Sequence, residues 1–158
     1  MDELSTSLWN ERELLETLLF KLEEQELVVA HGRTRWVGRA SREVEVVLER
    51  MRTAEIGRAM HAEAAATSLG LSADASLKHI AGAAPAPWDD LMHAHHAALS
   101  ELTAQIAALG VSNHQLLSQA LLSTQQALLG VDTDGGTYDT TGAASKAGDK
   151  AFLIDEDI

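Results

Sequence analysis

Three histidines, His93, His95 and His96, follow closely on Asp89 and Asp90, and imidazole and carboxylate are the side chains that hold a divalent cation. On a helix, residues 89, 93 and 96 share one side. Asp89, His93 and His96 could therefore converge on a metal, and a metal-dependent helical-bundle enzyme is the chemistry they would serve. A zinc site needs three or four ligands held by an outer shell of partners, and no fourth ligand stands out. Solvent-facing or seam histidines are expected instead, with no metal and no cofactor. The chain has no GxSxG turn, HExxH pair or phosphate-cradling glycine loop, and GGTYDTTG does not sit between a strand and a helix. Its carboxylates are spaced as solvated helix faces and as i,i+4 partners of Lys or Arg. With no cysteine, a thiolate metal site, a cysteine nucleophile and a disulfide framework are excluded together. A protein that catalyses nothing is the expectation.

Composition narrows what is left. The 158 residues are 46% apolar, enough for one domain and a tail but short for two domains. Aromatic residues make up 4%, and the apolar content is mostly Leu, Ala and Val, which suits helix seams better than a sheet sandwich. A formal charge of -12 repels phosphate backbones and anionic lipid, so neither nucleic acid nor a membrane surface is an expected partner. The N-terminus MDELSTSLWNERELLE is acidic and amphipathic where a signal peptide is basic and then apolar, and no apolar stretch of about 18 residues occurs. A soluble, cytoplasmic protein with no membrane insertion is expected.

The elements that must carry the function are helices. Leu8, Leu15, Leu22 and Val29 fall seven residues apart, with Leu4 and Leu18 between them, and this predicts one amphipathic helix over about 4–30. Glu11 and Gln25 interrupt the inner row, which weakens the seam but helps fix its register. His31-Gly32-Arg33 supplies a break, because glycine takes the left-handed conformation that ends helices. A second amphipathic run over 34–69, with Val37, Ala40, Val44, Val47, Leu48, Met51 and Ala54 inward, must return antiparallel after so short a turn.

Gly70 ends that run, and Ser72 or Asp74 is placed to cap a short helix over 73–81. GAAPAP is a linker, and proline just ahead of Trp88 suits the first turn of a new helix. Trp88, Leu91, Met92, His95, Leu99, Leu102, Ile106 and Leu109 trace an inward stripe over 88–109. After Gly110, the run Ser112-Asn113-His114-Gln115 reads as a capping box opening a helix over 112–131, with Leu116, Leu117, Ala120, Leu121, Leu128 and Val131 on its apolar face. Whether Gly110 breaks or kinks the helix stays open at this level. Trp9, Trp36 and Trp88 are expected to close the bundle ends as core aromatics.

From residue 132 the chain is rich in Gly, Thr, Ala and Asp, too poor in apolar residues for a core of its own, and a flexible tail over 132–158 is expected. Tyr138 and the cluster Phe152-Leu153-Ile154 stand out as binding islands within it. The expected fold is all-α: a long antiparallel helical hairpin packed with C-terminal helices as an elongated bundle over 1–131, then a disordered acidic tail. The Leu-rich face of the last helix serves either as core or as a face left for a partner helix.

The order of these features resembles the FlgN family of flagellar type III export chaperones. LLETLLFKLEEQELVVAHGRTRWVGRASREVEVVLERMRTAE is similar to that family's paired long helices, and NHQLLSQALLSTQQALLGV to its late helix, which opens with Asn and a Leu pair. GTYDTTG, which follows, resembles its Thr-x-Tyr/Tyr-x-x-x-Gly tail signature. The resemblance implies a chaperone that binds the helical termini of hook-filament junction proteins, prevents their premature assembly and delivers them to the cytoplasmic domain of the export gate. It implies Asn113, Leu116, Leu117, Leu121 and Leu128 as the cargo-binding residues, with Tyr138 and Gly142 contacting the gate. A helix-in-groove contact with a Leu/Ala surface fits that task physically. The competing expectation is a coiled-coil adaptor that uses the same heptads for self-association.

Overall fold

The computed structural model describes residues 1–134, with side chains through 130. They form four helices, α1 (Asp2–Ala30), α2 (Thr34–Ser68), α3 (Leu77–Ala83) and α4 (Trp88–Asp134), and no strand occurs among the described residues. The all-α fold with its antiparallel hairpin is the one expected. No helix among the described residues is long and apolar enough to cross a membrane. The chain divides after residue 121 into two units, and the packing that follows is that of residues 1–121.

The hairpin reverses through Gly32 at φ 62°. Its N–H donates to Val29 O at 3.0 Å and the Arg33 N–H to Val28 O at 2.9 Å, the paired bonds that close a helix on a left-handed residue. Gly70, at φ 73°, ends α2 in the same way: Leu71 N–H bonds Ala66 O and Gly70 N–H bonds Thr67 O. A side chain at either glycine would be strained by that conformation.

Two apolar clusters hold the helices together. The first joins Leu4 and Leu8 of α1, Ala65 and Ala66 of α2, Ile80 and Ala81 of α3 and Met92 of α4. The second joins Leu18 and Leu22 to Val47, with Ile106 and Leu109 of α4 packed against it. Each fully buried leucine contributes roughly 1.5–3 kcal/mol, so the leucine row of α1 is the spine on which α2 and α4 are laid.

Two expected boundaries are corrected. The short helix begins at Leu77, not at residue 73, because Ser72 donates its hydroxyl to Asp74 and both are engaged in a turn closed by Ala75 N–H to Ser72 O. Ser76 caps the helix instead, accepting from the His79 N–H. The helices expected over 88–109 and 112–131 are one continuous α4. Gly110 does not break it, because Ile106 and Leu109 are docked on one side and the side chains of Ser112 and Asn113 are turned to α1 rather than back onto their own backbone as caps.

Candidate functional site

Asn113, the first of the residues assigned to cargo, is only 3% exposed. Its amide donates to Leu22 O at 2.8 Å and to Gln25 Oε1 at 3.1 Å, and Gln25 Nε2 donates on to Ser41 Oγ at 3.0 Å. One row of polar groups thus runs from α2 through α1 to α4. Beside it Ser112 Oγ donates to Glu26 Oε1 at 2.9 Å. A helix slip would leave these buried amides unpaired, which makes the row a register lock. It is an imperfect one: Asn113 Oδ1 is buried without a hydrogen-bond partner, a loss of about 1–3 kcal/mol. Gln25, legible as an interruption of the leucine row, is the middle of this lock.

Beyond that lock α4 turns apolar and exposed. Leu116 and Leu117 are half-buried and Leu121 is 60% exposed. In the second unit, Leu128 is 65% exposed, and Leu122 and Leu129 are exposed as well. Leu122 and Leu129 lie outside the apolar stripe that the sequence pattern predicts. The repeated Leu-Leu pairs seven residues apart were the available signal. Exposed apolar side chains of this kind are available for contact with a partner. Tyr138 and Gly142, assigned to the gate, and the Phe152-Leu153-Ile154 cluster lie outside the described residues.

Two serine-histidine contacts invite comparison with a nucleophile and its base. Ser7 Oγ lies 2.6 Å from His61 Nδ1, but the hydroxyl also donates to Glu3 O at 3.0 Å. With its one proton so placed, Ser7 accepts from His61 Nδ1–H and ties α1 to α2. Ser5 Oγ lies 3.2 Å from His95 Nε2, both groups being buried, which ties α1 to α4. Burial holds the His95 imidazole below the usual histidine range, and the nearby Arg12 cation pushes the same way. These pairs are seams between helices.

The Trp9 ring meets His95 edge-on at 5.1 Å, with the Arg12 guanidinium over its face at 5.3 Å. Trp9 and Trp36 are exposed, contrary to the expectation that all three tryptophans close the core. Only Trp88 packs against a core cluster. Trp9 and Trp36 lie outward of the leucine row and carry arginines on their faces. Arg58 joins its helix to α1: its guanidinium forks onto Glu55, so Glu11 Oε2, 3.2 Å from Nε, is left with a charge contact and no hydrogen bond. Burial raises the Glu11 carboxyl above its usual value, Arg58 opposes this and Glu55 adds to it.

Asp89, His93 and His96 do not assemble a metal site. His93 Nδ1 bonds its own helix at Asp89 O, 2.8 Å away, and among the described residues no group of three or more His, Asp or Glu side chains is placed to hold a cation. The family model described as FlgN protein matches residues 1–146 of the chain. No curated protein and no solved structure matches it.

Proposed function

The chain belongs to the FlgN family of flagellar export chaperones, and we propose that it binds the helical termini of hook-filament junction proteins through the late turns of α4. The observation that supports this reading is the exposure of leucines there, Leu121 and Leu128 foremost, in a chain whose family binds flagellar export substrates. An amphipathic cargo helix laid on Leu117 and Leu121, or on Leu128 in the second unit, would bury its own polymerising face and remain releasable, because the contact is reversible and needs no chemistry. Asn113 acts beneath that face, fixing α4 on α1. A formal charge of -12 opposes self-association of the complex. Tyr138 and Gly142 are proposed to contact the cytoplasmic domain of the export gate, a role that rests on their match to the family's tail signature.

The test is polymerisation of a purified junction subunit followed by light scattering. Stoichiometric full-length protein is expected to suppress it, and Leu117→Asp or Leu121→Asp to restore it. Tyr138→Ala is expected to suppress it as wild type does while weakening capture of the gate's cytoplasmic domain. Unimpeded polymerisation in the presence of folded wild-type protein would contradict the proposal and leave a helical adaptor of another partner.

A further inference from the structure

The closed end of the hairpin runs against the character of the rest of the chain. Residues 31–42 carry Arg33, Arg35, Arg39 and Arg42 and no acid, in a protein of formal charge -12. Arg39 is paired with Glu43 at 2.9 Å. Arg33, Arg35 and Arg42 are exposed and, among the described residues, have no carboxylate within ion-pair distance. They gather around the N-terminal end of α2. α2 starts from Arg33 with no side-chain cap and no acidic residue in its first turn, so the positive end of its dipole is faced by more positive charge.

Apolar surface lies beside these cations. Trp36 is 43% exposed with the Arg35 guanidinium 5.1 Å from its ring centre, and across the turn Leu27 is 58% exposed. Between them is an open cleft of about 590 Å³ whose walls include Leu27, Val28, Trp36 and Ala40. The charges on its rim satisfy one another, Lys21 with Glu24 at 2.6 Å and Glu43 at 2.8 Å, and Glu43 with Arg39. The net charge of the cleft is therefore close to zero, and Arg35, laid on Trp36, stands beside it.

We propose that this hairpin tip docks an acidic segment of a partner protein that carries one apolar anchor. The anchor enters the cleft against Leu27 and Trp36, and the carboxylates meet Arg33, Arg35, Arg42 and the N-terminal end of α2, which favours anions through its own dipole. Tryptophan and arginine are the residue types that most often dominate interfaces of this kind. A short acidic segment suits the site better than a lipid surface or nucleic acid. Charges interact here over about 8 Å at physiological salt, and an extended polyanion would also meet Glu23, Glu24, Glu26 and Glu45, which flank the tip. None of the α4 leucines takes part, so this site and the cargo face can fail independently.

Fluorescence anisotropy of the full-length protein with a labelled peptide of one leucine among glutamates tests this directly. Its lysine counterpart and phosphatidylglycerol vesicles serve as the other arms. Saturable binding of the acidic peptide that weakens with added salt is expected, with Arg33→Glu combined with Arg35→Glu costing about tenfold or more in affinity, and Trp36→Ala also weakening it. The double variant places acids at the start of α2, so its thermal midpoint is expected to hold or rise, which separates lost docking from lost folding. Absence of acidic-peptide binding, equal binding of the lysine peptide, or vesicle binding as strong as that of the acidic peptide would overturn the proposal.

Discussion

One buried and one half-buried ionisable side chain give this fold pH dependences of opposite sign. His95 is held below the ordinary histidine value of 6.5, first by burial and then by Arg12, so protonation favours the unfolded chain. Stability is full above about pH 6.5 and falls as pH drops from there through the lowered folded value. Urea titrations at pH 8 and pH 5.5 are expected to show that loss, and His95→Gln, which keeps a polar partner for Ser5 but does not titrate, to flatten it. Glu11 is held above the ordinary 4.5, with burial as the largest cause, so its ionised form opposes folding at neutral pH and stability recovers as pH falls through the raised value. Glu11→Leu fills a cleft walled by Leu14, Leu48, Met51 and Ala54. It is expected to raise the thermal midpoint at pH 7, with a gain that shrinks near pH 4. Glu11 and Gln25 were both visible in the sequence as interruptions of a leucine row. Their partners Arg58, Asn113 and Ser41 were not, because they come from other helices and no spacing within one helix encodes them.

At the scale of the element, the hairpin was legible and α4 only partly so. Gly32 and Gly70 end helices through local backbone bonds that depend on nearby residues alone, and the heptad leucines Leu8, Leu15 and Leu22 set the inner face of α1. Gly110 was harder to read. Its local signals, a glycine followed by Ser112 and Asn113, favour a break, yet tertiary bonds to Glu26, Leu22 and Gln25 take up both side chains. A Cβ at Gly110 would meet nothing within 4 Å. Gly110→Ala is therefore expected to stabilise the helix by about 1 kcal/mol, read as a higher denaturation midpoint, whereas a true break at that glycine would make the same substitution destabilising. The exposure of Trp9 and Trp36 was likewise beyond the sequence, since residue size alone favours burial and only the outward register of each, with an arginine laid on its ring, reverses that.

At the scale of the whole molecule, the described chain combines small cores with much exposed apolar surface. Leu4, Leu8, Ile80 and Met92 are its largest fully buried side chains. Phe20, Leu27, Ile56, Met60, Leu121 and Leu128 stay exposed on three different helices. A formal charge of -12 opposes association of copies through that surface. The exposed leucines of α4 on which the proposed cargo face rests were legible as a leucine run. The hairpin tip was not, because its arginines acquire meaning only beside the cleft that α1 and α2 form together. The most direct measurement is a calorimetric titration of a purified junction subunit into the full-length protein and into the Leu121→Asp and Leu128→Asp variants. Saturable binding with a negative heat-capacity change, as apolar burial requires, and a loss of about 2 kcal/mol or more in each variant are the expected results. No binding by the wild type, or undiminished binding by both variants, would contradict the account.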